Sequence, residues 1–355
     1  MTTAFTSPKP FSPAHQHEVA KLDRATTLYH ALPAQPEVLQ ALRGQHILSV
    51  KPFSAAQILE LFRLAAGYEA GILSPAQLPA GTIMSNLFLD HTRPQIRLSF
   101  NYAWMKMGGS TINIEKTIQE LMANRSSAYD EVAELCNISS DLAIVLTQED
   151  GVLEQMLDHL RIPVINAGNG SDEHPSHGLA DLYTLLKWRP DLLSANPNHP
   201  LHIAIIGDPS YTRTIRSFLF TLMKFPQMVK QIVIFERVHQ PFQPGQKEEL
   251  EAAGLTIELI GDLYPRESIT SANRIMLPDL DVIYIHELKY IQQRRVSMLE
   301  SKELLKPNAL ILNPEIQSQE FSDLINASPH NGYFAQARGA SYVRMALLSA
   351  LYGLH

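Results

Sequence analysis

The chain has 355 residues, of which 45% are hydrophobic and 18% are charged. This composition is typical of a globular protein of one or two domains, and it excludes an extensively disordered or fibrous protein. The formal net charge of −7 argues against a nucleic-acid partner or an acidic membrane partner, because such partners usually require a basic face.

Cys136 is the one cysteine of the chain, so an intramolecular disulfide is excluded. It lies in a helical pattern, where we expect a small buried apolar residue. The first ten residues lack a basic segment followed by an apolar core, so they do not resemble a secretion signal. No apolar run approaches the roughly 20 residues that span a bilayer. We therefore expect a cytoplasmic protein with no membrane partner.

Residues 1–40 are rich in Pro, His, Ala and Gln and show weak periodicity. We expect an N-terminal extension with one short helix near 37–42. This stretch is either a disordered tail or a segment that docks on a partner protein, and the sequence leaves both alternatives open.

From Ile58 onward, amphipathic helix patterns alternate with short apolar strand patterns. Predicted helices lie at 58–70, 94–107, 128–135, 152–160 and 176–188, and predicted strands lie at 82–89, 111–114, 142–146 and 164–166. After a Pro- and Asn-rich segment the alternation restarts, with strands at 201–208, 231–235, 256–260, 281–285 and 309–312 and helices at 212–224 and 246–253. The last predicted helix, 340–351, is apolar on most faces, so we expect it to pack against protein.

This alternation predicts an α/β fold of two doubly wound parallel-sheet domains with a cleft between them. We expect the first domain at 41–175, completed by the C-terminal residues 336–355, and the second domain at 176–335. Neither half carries a glycine-rich nucleotide fingerprint after a strand, and we expect no cofactor. His174 and His177 can share one helix face. We identify no third ligand beside them and expect no metal site.

The run Asn166-Ala-Gly-Asn-Gly-Ser-Asp-Glu-His-Pro-Ser-His177 joins a glycine-rich turn to a His-Pro pair at the start of a helix. Together with other runs in the same order, it closely resembles the aspartate and ornithine carbamoyltransferases, with the aspartate branch closer. The other runs are Leu42–Ser49, Arg97–Phe100, Met107–Ser110, Ile205–Ser217 and Tyr333–Ala337. The resemblance implies a homotrimer with active sites shared between neighbours and a C-terminal helix that returns to the first domain.

Members of this family transfer a carbamoyl group from carbamoyl phosphate to an amino acid. A phosphate dianion calls for backbone N–H groups at a helix N-terminus and for an arginine. The developing oxyanion calls for donors held in place beforehand. The resemblance places His174 at the carbamoyl carbonyl as the catalytic residue, and it places Arg213 at the α-carboxylate of the amino acid. His177 stands where the family has a glutamine that binds the carbamoyl amide.

The phosphate loop departs from the family pattern in the segment from 90 to 100. An ungapped alignment places Gln95 at the phosphate-binding arginine, whereas two extra residues place His91, Thr92 and Arg93 at the family's Ser-Thr-Arg. Either way Pro94 at the helix start has no N–H to donate. We expect an altered phosphate site, or one rebuilt from Thr92 and Arg93, with Arg97 as an ion-pair anchor or a ligand.

Other substrate contacts depart from the family as well. Thr147 stands at an arginine of the first domain, and Asn124, followed by Arg125, stands at the lysine lent by a neighbouring subunit. Glu287 replaces the arginine that reads the acceptor side chain, and Lys289 follows it. Glu315, in the segment Asn313-Pro-Glu-Ile-Gln317, lies where the family meets the carbamoyl nitrogen. A carboxylate facing a phosphate is repulsive.

Two hypotheses remain open on the sequence. The first is a divergent or repurposed transferase for an amino-acid-like substrate, with Glu287 favouring an amine-bearing or neutral side chain. The second is a non-catalytic paralogue that acts as a scaffold or regulatory subunit. Ordinary aspartate carbamoyltransferase activity is the least favoured.

Overall fold

A computed structural model describes residues 24–89, 94–114, 129–235, 240–260, 280–286, 306–314 and 329–355. Within these ranges the chain forms two parallel β-sheets with helices packed on them. The predicted α/β class with two parallel-sheet units is therefore confirmed.

The first sheet has the order β2-β1-β3-β4, and its neighbouring strands are parallel. All six residues of β3 and of β4 are buried. Burial on both faces explains why β3 reads as a nearly continuous apolar run rather than as an alternating pattern. The strands are β1 (Ile83–Phe88), β2 (Ser110–Asn113), β3 (Leu142–Thr147) and β4 (Val164–Asn169).

Helices precede and connect these strands. α2 begins with a capping box, in which the Ser54 side chain accepts the Gln57 backbone N–H and the Gln57 side chain accepts the Ser54 backbone N–H. The helices are α1 (Ala25–Ala31), α2 (Ala55–Glu69), α3 (Pro94–Lys106), α4 (Tyr129–Ser139) and α5 (Val152–Leu157).

The second sheet has the order β7-β6-β5-β8-β9 and is also parallel throughout. Its strands are β5 (Leu201–Ile206), β6 (Val229–Phe235), β7 (Ile257–Ile260), β8 (Val282–Ile285) and β9 (Leu310–Leu312). Two further helices, α7 (Arg213–Leu222) and α8 (Gln246–Ala252), follow β5 and β6.

Helices α6 (Pro175–Trp188) and α9 (Tyr333–Leu351) connect the two units. α6 packs against α7, and α9 packs against α2, α3 and α6. The end of α9 is tied to the first domain, because the Gly44 N–H donates to the Leu351 carbonyl at 2.9 Å. The C-terminal helix therefore returns to the first domain, as the resemblance implies. None of the helices described here is long and apolar enough to cross a membrane.

The described part of the 1–40 stretch is packed rather than extended. Leu28 in α1 and Leu39 in a 3-10 helix at Pro36–Leu42 are fully buried in the core. Pro33 and Pro36 break the segment into pieces too short for a helical period to be visible in the sequence. The expectation of an extension is therefore wrong for residues 24–40, while residues 1–23 lie outside the described ranges.

Candidate active site

The carboxyl ends of the strands in each sheet mark the place where an open α/β fold binds ligands. In the first sheet, chain order reverses between β1 and β3, and in the second sheet it reverses between β5 and β8. Thr147 is the last residue of β3, and Gly207 and His286 directly follow β5 and β8. The N-termini of α6 and α7 carry the two residues that the sequence favours most strongly, His174 and Arg213.

His174 is the residue that immediately precedes α6, and it is fully buried. Pro175 occupies the first helical position, where its fixed φ suits the helix and its missing N–H costs nothing. The backbone N–H of His174 donates to Ser217 Oγ of α7 at 2.8 Å. The ring centroids of His174 and His177 lie 5.3 Å apart. The structure therefore brings both histidines to the junction between the two units.

The glycine-rich turn before His174 is fixed by side chains. In the side chain of Asn166, Nδ2 donates to the Leu48 carbonyl at 2.9 Å, and Oδ1 accepts the Gly168 N–H at 2.8 Å. The buried Glu173 carboxylate accepts the Ser49 hydroxyl at 2.6 Å and the Val50 N–H at 3.0 Å. Burial raises the pKa of Glu173, and these two hydrogen bonds oppose the shift. The turn is thus pre-organised by polar contacts that reach back to the start of the first domain.

Arg213, the first residue of α7, reaches across to the first sheet. Its Nη1 donates to the Thr147 carbonyl at 2.8 Å and to the Gly170 carbonyl at 3.1 Å. Gly168, with a φ of 134°, makes room for the guanidinium, because a Cβ there would lie 2.8 Å from Arg213 Cζ. The arginine is therefore held at the carboxyl edge of the first sheet by an element of the second domain.

Thr147 itself is buried at the end of β3, and its hydroxyl accepts the Glu149 N–H at 3.1 Å. It brings a neutral side chain to a position where the family resemblance calls for an arginine. Arg97 lies half-buried on the first turn of α3.

A buried polar network lies directly behind the histidines. Asp181 Oδ1 is 3.6 Å from His177 Nε2 and accepts the Gln336 amide at 2.5 Å, while Oδ2 accepts the Tyr284 hydroxyl at 2.9 Å. Asp181 is fully buried, and burial raises its pKa to about 8. A fully buried aspartate is rare in proteins unless its carboxyl group is paired. The network therefore connects α6 with β8 and α9 immediately beneath the candidate site.

Arg344 of α9 is a buried cation that interacts electrostatically with Asp181. It is buried, donates to Ser176 Oγ at 3.3 Å and to Ser99 Oγ, and lies 4.6 Å from the Phe100 ring centroid. Burial lowers its pKa, and the Asp181 charge opposes that shift. Sequence reasoning missed both residues, although the spacing of His177 and Asp181, four residues apart on one helix, was a usable signal.

Several predicted positions fall outside the described ranges. Among the proposed ligand-binding residues these are Thr92, Arg93, Glu287, Lys289 and Glu315, and among the other departures they are His91, Asn124, Arg125 and Gln317. Within the described part of the chain, no group of three or more His, Cys, Asp or Glu residues is arranged to hold a metal ion.

Comparisons with known proteins bear on the fold as a whole. Residues 45–187 match a family model described as the carbamoyl-P binding domain of aspartate/ornithine carbamoyltransferase. The catalytic subunits of aspartate carbamoyltransferase from Alkaliphilus oremlandii and Vibrio cholerae are 25% and 28% identical to the chain. These alignments cover 88% and 87% of this chain and 92% and 97% of the relatives.

A solved structure gives the same result. The aspartate transcarbamoylase from Trypanosoma cruzi, in complex with carbamoyl phosphate and aspartate, is 26% identical with a TM-score of 0.72. The match covers 90% of this chain and 99% of that one. The likeness therefore extends over both domains.

Proposed function

The chain belongs to the aspartate/ornithine carbamoyltransferase family, and from this premise we propose that it is a divergent transferase acting on an amino-acid-like substrate other than aspartate. The placement of Arg213 carries this proposal. The residue extends from the second domain to the edge of the first sheet, and two carbonyls orient its planar guanidinium. Such a fork matches a carboxylate in geometry and charge. We assign it to the α-carboxylate of the acceptor.

We assign His174 to the group that is transferred. It is held at the start of α6 by Pro175 and by the hydrogen bond to Ser217, so its position is fixed before a substrate arrives. A donor fixed in this way suits a carbonyl oxygen that gains negative charge during acyl transfer. His177 lies beside it, where a glutamine stands in the family pattern, and we assign it to the same pocket.

The expected change in specificity rests on charge. By the family resemblance, we assign Glu287 and Lys289 to the region that recognises the acceptor's side chain. We assign Glu315 to part of the carbamoyl pocket. An acidic residue in place of an arginine disfavours aspartate and favours an amine-bearing or neutral side chain. Pro94 and Thr147 remove an N–H donor and a cation from the anion-binding region. We therefore propose an altered carbamoyl-phosphate site, with Thr92, Arg93 and Arg97 as its remaining ligands.

The test begins with calorimetric titration of the full chain with carbamoyl phosphate, followed by a carbamoyl-transfer assay over a panel of amino acids. Transfer to an amine-bearing or neutral amino acid, with slower transfer to aspartate, is the expected result. Aspartate as the preferred acceptor would contradict the proposed specificity.

A non-catalytic paralogue is the alternative, and Thr147 favours it. This buried residue is uncharged, and its hydroxyl is engaged in a local turn. It therefore cannot replace the positive charge of an arginine at a phosphate. If carbamoyl phosphate does not bind and no acceptor is carbamoylated while the oligomer stays intact, the scaffold or regulatory role is supported instead.

We also propose a homotrimer. The exposed face of α3 supports this, because Leu98 and Met105 are 63% and 64% exposed and Tyr102 between them is 41% exposed. These residues lie four and three apart and form one apolar stripe. Sedimentation should give three times the chain mass of 39.7 kDa, and a monomer at micromolar concentration would contradict the assembly.

A further inference from the structure

The amino edge of the second sheet carries a group of cationic side chains, although the chain as a whole has a formal net charge of −7. A cavity of about 1010 Å³ opens there, on the side opposite the candidate active site. Its walls come from the residues at the starts of β5, β6, β8 and β9, together with the end of α6 and the segment before α1. In a parallel sheet the amino ends of all strands share one edge, so these residues converge although they are far apart in the sequence.

The lining of this cavity is cationic. The chain as a whole has 36 acidic and 29 basic residues, but the described residues that line the cavity include only one acid, Asp281. Its positive and titratable side chains are Arg24, Arg189, Lys230 and Lys306, with His199, His202 and His330. A concentration of cations in a concave site, in a protein of net negative charge, raises the local concentration of anions.

The single acid does not cancel this charge. Asp281 Oδ1 accepts Lys306 Nζ at 3.0 Å, and Oδ2 accepts the His202 backbone N–H at 3.0 Å. Arg189 is paired with Asp191 through hydrogen bonds of 2.7 and 2.5 Å. Among the described residues, neither Arg24 nor Lys230 pairs with a carboxylate, and Arg24 donates to the Trp188 carbonyl at 3.3 Å. Arg24 and Lys230 therefore add two positive charges to the lining, and no carboxylate within the described ranges pairs with either.

We propose that this cavity is a second binding site, for a small organic anion that carries two or more phosphate groups. Its volume is that of a small-molecule site rather than of a protein interface. Cations on several walls suit separate phosphate groups of one ligand, and Lys and Arg are the residues that bind such groups. Trp188 and Pro307 supply the apolar part of the wall. This site is independent of the transferase proposal, because none of its residues belongs to the candidate active site.

The test uses isothermal titration calorimetry of the full chain with inorganic tripolyphosphate at low ionic strength. Lys230→Glu and Arg24→Glu change exposed cavity residues, so both variants should fold, and thermal unfolding verifies this. Lys106→Glu is the matched control, since Lys106 is an exposed lysine at the end of α3, outside the cavity. Arg213→Ala tests whether the anion binds at the candidate active site instead.

We expect tripolyphosphate to bind the wild type more tightly than inorganic phosphate. Each cavity variant should weaken it about tenfold or more, the size of one lost charge-assisted contact. The control should stay within about twofold, because exposed charges at a distance are largely screened. The proposal is overturned if tripolyphosphate does not bind, if it binds no better than phosphate, if Lys106→Glu weakens it equally, or if Arg213→Ala abolishes binding while the cavity variants keep it.

Discussion

Gly178 lies where α6 and α7 cross, and replacing it by alanine tests the close packing of these two helices. A Cβ on Gly178 would lie 2.6 Å from the Ser217 carbonyl carbon and 2.7 Å from Thr221 Oγ1, whereas ordinary van der Waals contact begins at 3.4 Å. The nearest obstacle is backbone of α7, which cannot rotate away. The two helices must therefore separate by most of an ångström.

The direction of the stability change in Gly178→Ala distinguishes a steric clash between α6 and α7 from an effect of helix propensity. Propensity alone makes Gly178→Ala stabilising by about 1 kcal/mol in a helix. Overpacking a close contact costs about 1–3 kcal/mol, and a clash with backbone belongs at the upper end of that range. We expect a net loss of about 2 kcal/mol, which corresponds to a decrease in Tm of roughly 3 °C for a chain of 355 residues.

Differential scanning calorimetry of both variants makes the comparison, with Gly339→Ala as the matched control. A Cβ on Gly339 would meet side-chain atoms and no backbone, the Tyr183 ring at 3.0 and 3.1 Å and Lys187 Nζ at 3.3 Å, so the control should lie within about 1 kcal/mol of the wild type. A Tm for Gly178→Ala at or above that of the wild type would refute the close approach of α6 and α7.

Three further outcomes follow from buried groups. Lys187 Nζ lies 2.9 Å from both oxygens of the buried Glu69 carboxylate, and a second cation, Arg338 Nε, lies 3.5 Å from Oε1. Lys187→Met should cost about 3 kcal/mol in chemical unfolding, because it removes the nearest cation from a buried carboxylate and leaves only the longer pair. Adding Glu69→Gln should recover part of the loss, and no recovery would argue against the pair. Burial raises the pKa of Asp181 to about 8, so the folded state binds more protons than the unfolded state between about pH 4 and pH 8. The free energy of unfolding should therefore fall as pH rises through that window, and it should fall less in Asp181→Asn; identical pH slopes would contradict the assignment. Cys136 is fully buried, and burial raises its thiol pKa to about 11, so a thiol reagent at pH 8 should label it only in denaturant, and rapid labelling of the folded protein would be inconsistent with its burial.

The fold could be predicted from the sequence because its signals are local. The buried strand β3 reads as a short apolar run, and the sequence places α3 and α6 to within one or two residues because a proline marks the start of each. α1 was missed because its two buried residues, Ala25 and Leu28, are too few to establish a helical period before Pro33. Local patterns thus predict long elements well and short packed segments poorly.

The candidate site was only partly predictable. His174 and Arg213 belong to local motifs, so the sequence identifies them, and the structure places both at the carboxyl edges of the sheets. The electrostatic pairing of Arg344 with Asp181 was missed because the two residues are far apart in the sequence, and only the packing of α9 on α6 brings their helices together. The cationic cavity was missed for the same reason, since its walls come from chain positions as distant as Arg24 and His330.

Calorimetric titration with aspartate and with lysine, which carries an amine side chain, compares the acceptor preference of the wild type with that of Arg213→Ala. Arg216→Ala is the control, because Arg216 lies one turn further along α7 and pairs with Asp172 at 2.8 Å. We predict that lysine binds the wild type more tightly than aspartate, that Arg213→Ala weakens it about tenfold or more, and that Arg216→Ala keeps most of the affinity. Tighter binding of aspartate, or unchanged affinity in Arg213→Ala, would contradict the account.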